Sequence, residues 1–277
     1  MLTDYHVHLR PDEADTPPER YFTAANAERY REAAVKRGIE ELGVAEHIHR
    51  FTEALEVWQH PWYRQWARDD MEAYAAFVRE QTDLRLGLEA DFLPGREDRL
   101  AGLLERYDFD YVVGSVHFVG DHAIDVDDPA FDVWRHAATP EQVWRRYFET
   151  LAEAARSGLF DIMAHPDLVK VWGRGRPVPE RDPRFFYEPA VEAMADAGVA
   201  VELSTAGLRK PVGELYPSRA LLEMVVDAGC PIALSSDAHL PEHVGHEYEQ
   251  AVALLAELGV SELAVFAGRA RRLEPVG

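Results

Sequence analysis

Asp196-Ala197-Gly198-Val199-Ala200-Val201-Glu202-Leu203 closes a helical pattern, turns on a glycine and runs at once into an apolar, β-rich segment. Glycine just past a helix end accepts the left-handed conformation that sends the chain back toward a strand. The same unit recurs outward from this point. Lys36-Arg37-Gly38 precedes Glu41-Leu42-Gly43-Val44-Ala45, Asp227-Ala228-Gly229 precedes Ile232-Ala233-Leu234, and Glu257-Leu258-Gly259 precedes the apolar run Leu263 to Phe266. Helix-to-strand alternation of this kind builds a parallel sheet. The pattern predicts strands ending near Tyr5, Glu46, Ala90, Val116, Ala164, Ser204 and Ser235, with Leu263 to Phe266 as a short eighth. Helices are expected near 24–37, 69–81, 96–105, 140–156, 187–197, 218–228 and 246–258. Seven βα units point to a closed or nearly closed α/β barrel of TIM type, with a doubly wound open sheet as the alternative.

The 277 residues, 47% hydrophobic, suffice for one large core, so a single barrel domain over 1–277 is expected. The N-terminus reads as lacking a signal peptide, and no apolar run reaches membrane-spanning length. The one cysteine, Cys230, excludes a disulfide framework and fits a reduced, cytoplasmic setting. It opens an apolar strand and reads as a small buried hydrophobe. A net charge of −21 disfavours nucleic acid and anionic membranes as partners. An anionic substrate therefore needs a local cluster of metal ions or arginines.

In a barrel, function gathers where the strands end. The first predicted strand ends in Asp4-Tyr5-His6-Val7-His8, whose alternation directs both imidazoles and Asp4 to one side, with Asp4 as ligand or orienter. The second ends in Glu46-His47, the third in Glu89-Ala90-Asp91, the fourth in Gly114-Ser115-Val116-His117. The fifth ends in Ala164-His165-Pro166-Asp167 and the seventh in Ser236-Asp237-Ala238-His239. Six of seven strand ends thus present His, Asp or Glu, and the sixth, Ser204 to Arg209, presents an arginine. The set reads as a metal centre of nitrogen and oxygen ligands, compatible with Zn, Mn or Fe.

These strings resemble the polymerase-and-histidinol-phosphatase (PHP) phosphoesterases, and among them the histidinol-phosphate phosphatases. The resemblance rests on D-Y-H-V-H at 4–8, E-H at 46–47, G-L-E-A-D-F at 87–92, F-D-Y-V-V-G-S-V-H at 109–117, A-H-P-D at 164–167, S-T-A-G-L-R-K-P at 204–211 and S-D-A-H at 236–239. It implies a distorted (βα)7 TIM-like barrel with two or three divalent metals. His6, His8, Glu89 and Asp237 would hold one; Glu89 would bridge to a second on His117 and His165; a third would sit on His47 and His239. Two positions depart from the family pattern. Ala14 stands where a third histidine is usual, leaving Asp12, Glu13, Asp15 or His49 as substitutes, and Glu46-His47 replaces Asp-His.

Such a ligand set activates water and neutralises phosphate oxygens, so no side-chain nucleophile is required. Arg209 is the leading phosphate clamp, because a guanidinium matches a phosphoryl edge, and Arg10, Lys170, Arg174 and Arg176 are further candidates. Asp237 and His239 are candidate proton donors to the leaving alkoxide. The expected reaction is hydrolysis of L-histidinol phosphate, a small phosphorylated substrate, in histidine biosynthesis. The alternatives are another phosphomonoesterase of the family, a metal-dependent amidohydrolase, and a catalytically silent metal-binding module. Long connections interrupt the units at about 49–68, 118–139 and 167–186; the first is rich in aromatics, Phe51, Trp58, Trp62, Tyr63 and Trp66, and reads either as a lid or binding wall or as a self-packed loop or oligomer contact. His60, His122, His136, His243 and His246 read as surface residues. The sequence leaves the oligomeric state open.

Overall fold

The computed structural model describes residues 1–13, 16–137 and 139–277; the substitute-ligand position Asp15 and the departure at Ala14 lie outside the described residues. Seven parallel strands run in sequence order around one sheet: β1 (Leu2–Asp4), β2 (Ile39–His47), β3 (Arg85–Asp91), β4 (Tyr111–Ser115), β5 (Ile162–Met163), β6 (Ala200–Ser204) and β7 (Ile232–Ser235). The helices Ala24–Lys36, Met71–Gln81, Glu97–Leu104, Pro140–Arg156, Arg184–Ala197, Arg219–Asp227 and Tyr248–Glu257 separate or follow them as expected. Thr23, Asp70 and Thr139 cap three of these, each accepting from a backbone N–H in the first turn. The glycines that end the repeating unit do what the pattern requires: Gly38, Gly198, Gly229 and Gly259 have φ of 71°, 62°, 76° and 77°.

The sheet nearly closes. Just beyond β1 and β7, Val7 and Ala238 form a parallel bridge, with His8 N–H donating to Ala238 O at 2.8 Å and Ala238 N–H to His6 O at 3.1 Å. Asp4 secures this seam. Its carboxylate accepts from Ser236 N at 3.0 Å, from the Ser236 hydroxyl and from Gly245 N at 3.3 Å. It therefore fastens the loop that carries Asp237 and joins none of the candidate metal groups among the described residues, and burial pushes its pKa up to about 6.

Along the inner face, side chains alternate with period two. Ala45 and His47, Gly87 and Glu89, Ala200 and Glu202, and Ala233 and Ser235 share it, so small residues lie below and polar ones above. The lower interior is a separate apolar cluster of Tyr5, Ala45, Tyr111, Val113, Ile162, Ala164, Ala200 and Ala233. The last apolar run joins this cluster from beneath. It is not an eighth barrel strand: β8 (Glu262–Ala267) pairs antiparallel with β9 (Ala270–Pro275), and the hairpin brings Val265 and Phe266 under the barrel. The Phe266 ring packs on Tyr5 at 5.7 Å and Tyr111 at 6.4 Å. Tyr111 lies across the barrel floor, and Gly43 and Gly87 make that possible, since a Cβ there would come within 2.3 and 2.4 Å of its side chain.

The larger core packs the helices on the sheet's outside. Cys230 is buried in it, and burial pushes its thiol up to about 11, so it is unionised at neutral pH. No helix among the described residues is long and apolar enough to cross a membrane.

Candidate metal centre

All eight residues expected as ligands come together above the barrel floor. Four overlapping groups have ligand atoms within 4.8 Å of one another: His6, His8 and Glu89; His47, Glu89 and His117; His6, His165 and Asp237; His8, His47 and His239. Glu89, projecting inward from β3, is the hub. Its Oε2 lies 3.3 Å from His6 Nε2 and 3.6 Å from His8 Nε2 and contacts His47 Nδ1. Its Oε1 lies 3.4 Å from His117 Nε2 and 3.1 Å from His165 Nε2. Asp237 Oδ1 completes the upper side, 3.3 Å from His8 Nε2 and 3.8 Å from His6 Nε2.

The residues fit divalent cations. His6 Nε2, both His8 ring nitrogens, Glu89 Oε2, His165 Nδ1 and Asp237 Oδ1 are buried without a hydrogen-bond partner, and a buried polar atom left so is costly. Ligand atoms about 2 Å from a shared ion lie roughly 3 to 4 Å apart, as these do. The electrostatics point the same way. Burial alone would keep His6 neutral, but Glu89, Glu202 and Asp237 outweigh it and hold its pKa well above the ordinary value. Glu89 and Asp237, despite burial, are held well below the carboxylate range by the surrounding imidazoles. The carboxylates draw positive charge into the cluster, and protons or metal ions satisfy that demand.

Two of the expected ligands sit on strained backbone. His165 and Asp237 have φ of 24° and 48°, the left-handed side that non-glycine residues avoid. Both follow the end of a barrel strand, where the turn redirects the side chain into the cluster.

An outer ring of carboxylates orients the imidazoles. His6 Nδ1 donates to Glu202 Oε1 at 2.8 Å, which leaves Nε2 as the free donor of its lone pair toward the cluster. His117 Nδ1 is held likewise by Asp91 Oδ1 at 2.6 Å, and Tyr63 OH donates to the other Asp91 oxygen at 2.6 Å. With Glu89 and Asp91 outweighing burial, His117 is raised to about 10. Glu202 also accepts from His165 N and the Ser235 hydroxyl, both at 2.6 Å. The sequence reading missed Glu202: it assigned Arg209 to that strand end. The signal was present as a lone charge inside the apolar run Val199 to Leu203, since a carboxylate buried in a parallel strand demands partners. Glu202→Gln is expected to weaken metal binding by about 10- to 100-fold, read by titrating the apoprotein with Zn2+ against a competing chelator.

Above the cluster opens a cavity of about 390 Å3, within the range of small-molecule sites. His47, His117, His165, Asp237 and His239 form its base, and Trp62, Trp66, Phe118 and Trp172 its wall. Asp12, Arg50, Asp125 and Lys210 supply charge. The three long connections all contribute. The first divides its aromatics: Phe51, Trp58 and Tyr63 are buried, while Trp62 and Trp66 face the cavity. His60 is buried too, stacked on Trp58 at 4.1 Å and capping Pro61–Trp66 through Nδ1, so it is not a surface residue. Among the described residues His49 joins no candidate metal group; it stacks on His47 at 4.9 Å and lines the cavity.

The PHP domain family matches residues 21–206. The chain belongs to the PHP family. Among curated PHP relatives, the probable histidinol-phosphatase of Deinococcus radiodurans is 34% identical over 269 residues, covering 93% of this chain and 94% of the relative. The histidinol-phosphatase of Bacillus subtilis is 24% identical over 269 residues, covering 89% and 96%. A crystal structure of histidinol phosphate phosphatase from Lactococcus lactis subsp. lactis, complexed with Zn, L-histidinol and phosphate, superposes with a TM-score of 0.71 at 20% identity, covering 98% of each chain. That likeness establishes the PHP-type barrel.

The basic candidates of this PHP chain are spread unevenly around the site. Arg209 Nη2 donates to the carbonyls of Ser236 at 2.7 Å and Asp237 at 2.9 Å, bracing the strained ligand turn. Arg10 is buried and donates to Asp69 at 2.7 Å. Lys170 pairs with Asp167 and Glu214, each at 3.0 Å. Arg176 pairs with Asp127 at 2.8 Å and Asp132 at 2.7 Å. Arg174 lies in the turn Gly173–Gly175.

Proposed function

We propose that this PHP barrel is a metal-dependent phosphomonoesterase that hydrolyses L-histidinol phosphate to L-histidinol and phosphate, serving histidine biosynthesis in the cytoplasm. The observation that carries this reading is the convergence of unpartnered buried ligand atoms on Glu89 at the base of a cavity with an aromatic wall. The substrate assignment is supported by the curated relatives that match nearly the whole chain.

His6, His8, His47, Glu89, His117, His165, Asp237 and His239 are the residues that would hold two or three ions, Zn, Mn or Fe by ligand type. When bound, such ions acidify a water and neutralise phosphoryl oxygens. The chain's own groups do the rest. Trp62, Trp66 and Trp172 offer faces on which an imidazole stacks, and the Asp125 carboxylate lines the same cavity as a partner for the substrate ammonium. Arg209 holds the Ser236 and Asp237 carbonyls and so keeps Asp237 in its ligand position. Burial and the neighbouring His8 depress His239 to about 4, and Asp237 is ionised, so both start unprotonated. Were the third site on His47 and His239 left without an ion, His239 would be free to accept a proton from the attacking water and return it to the leaving alkoxide, which balances the step without a separate acid.

The test is phosphate release from L-histidinol phosphate, with metal analysis of the same sample and phosphotyrosine and simple phosphomonoesters as competitors. Preferential turnover of histidinol phosphate is expected. Preference for another phosphomonoester would reassign the substrate, and full metal content without turnover on any of them would make the chain a silent metal-binding module.

A further inference from the structure

Two cationic side chains other than histidine line the cavity among the described residues, Arg50 and Lys210, and only Arg50 is fixed. Its side chain is 2% exposed. Nη1 donates to Glu46 Oε2 and to Arg10 O, both at 2.9 Å. Glu46 is itself locked in place by the N–H groups of Leu9 at 2.6 Å and Arg10 at 3.0 Å, so the guanidinium is pre-positioned. Its remaining Nη2 donates to Asp12 Oδ1 at 2.7 Å, and the same oxygen lies 3.3 Å from His239 Nε2. Asp12, unlike Arg50, is 69% exposed.

A carboxylate oxygen poised between a buried guanidinium and a ligand imidazole, at the edge of a cavity, occupies a position suited to any oxyanion. We propose that Arg50 is a phosphate-binding residue of this site, and that Asp12 fills in the free enzyme the place a phosphoryl oxygen takes on binding. The proposal rests on the phosphatase reading above. A phosphate dianion offers more charge than the carboxylate, and an Arg held by Glu46 loses little side-chain freedom on gripping it. Asp12 swings out to water at little cost because it is already mostly there. The arrangement also gives Asp12 a role other than ligand supply: it guards an anion position.

The experiment measures the affinity of the metal-loaded full chain for inorganic phosphate by calorimetry, with metal content determined on each sample. Asp12→Ala is expected to keep its metals and bind phosphate about tenfold more tightly, because the competing carboxylate is gone. Arg50→Lys, which retains a cation for Glu46 but not the fork, is expected to bind it about tenfold more weakly. Unchanged or weaker binding by Asp12→Ala overturns the proposal, as does loss of metal from that variant, which would make Asp12 a ligand. Wild-type affinity in Arg50→Lys overturns it as well; if that variant does not fold, Asp12→Ala decides alone. Phosphate binding is read without turnover, so failure to hydrolyse histidinol phosphate would remove the substrate assignment and leave this inference standing.

Discussion

Glu89→Ala is expected to abolish stoichiometric metal binding and to lower kcat by on the order of a thousandfold or more. The reason is the position of one carboxylate among five imidazoles: His6, His8, His47, His117 and His165 all direct a ring nitrogen at it. Two of the four groups able to hold an ion include it. Without it, His6 and His8 keep Asp237, but His47 and His117 lose the anion that joins them to the rest. The neutral isostere separates charge from shape: Glu89→Gln preserves packing, so metal loss in both variants assigns the effect to the carboxylate. Steady-state kinetics and metal analysis of the purified variants check this, and turnover surviving in a His8→Ala, Glu89→Ala double variant would sink the metal mechanism.

Gly43→Ala is expected to destabilise the fold by about 3 kcal/mol through overpacking, lowering Tm by roughly 6 to 12 °C. The new methyl meets the Tyr111 hydroxyl and ring inside a closed barrel floor, where neighbouring strands leave the ring nowhere to move. Tyr111 OH is itself buried without a partner. Tyr111→Phe alone is therefore expected to be neutral or slightly stabilising, since it removes an unsatisfied hydroxyl. Combined with Gly43→Ala it should recover part of the loss, because the closest atom has been deleted while the ring edge stays. Thermal or denaturant unfolding of the four proteins completes a double-mutant cycle. Strict additivity would show that the strain lies elsewhere.

The architecture and the convergence of the candidate ligands were readable in the sequence for one physical reason. Helix-ending glycines mark where the chain turns back into the sheet, and residues at strand ends converge in a barrel whatever their separation in sequence. That logic located His6, Glu89, His165 and Asp237 before any coordinates. It fails one step below the rim. Glu202, like Glu89, lies two residues inside the end of its strand, but the end of β6 was read from Ser204 to Arg209, so the carboxylate just before it was passed over. Asp4, expected as a ligand or an orienter, holds the His6 and Ser236 backbone N–H groups, a contact across the seam that strand alternation does not reveal. The hairpin of β8 and β9 escaped because an apolar run of four residues reads alike as a barrel strand or as a cover beneath one. Arg50 was invisible because its significance lies in Glu46 and in Asp12, the latter 38 positions away.

The seam between β1 and β7 has a consequence for how the molecule closes. Asp4 and Ser236 are 232 positions apart, yet they and the Val7–Ala238 bridge are the polar clasp between the first strand and the last. His6 and His8 stand on one lip of that seam, Asp237 and His239 on the other. An ion shared between the lips would be a noncovalent cyclisation of the chain, tying β1 to β7 and removing the loop entropy that fraying of the short first strand would release. Metal affinity and barrel integrity would then be one equilibrium seen from two sides, each ion that loaded tightening the ring that held it.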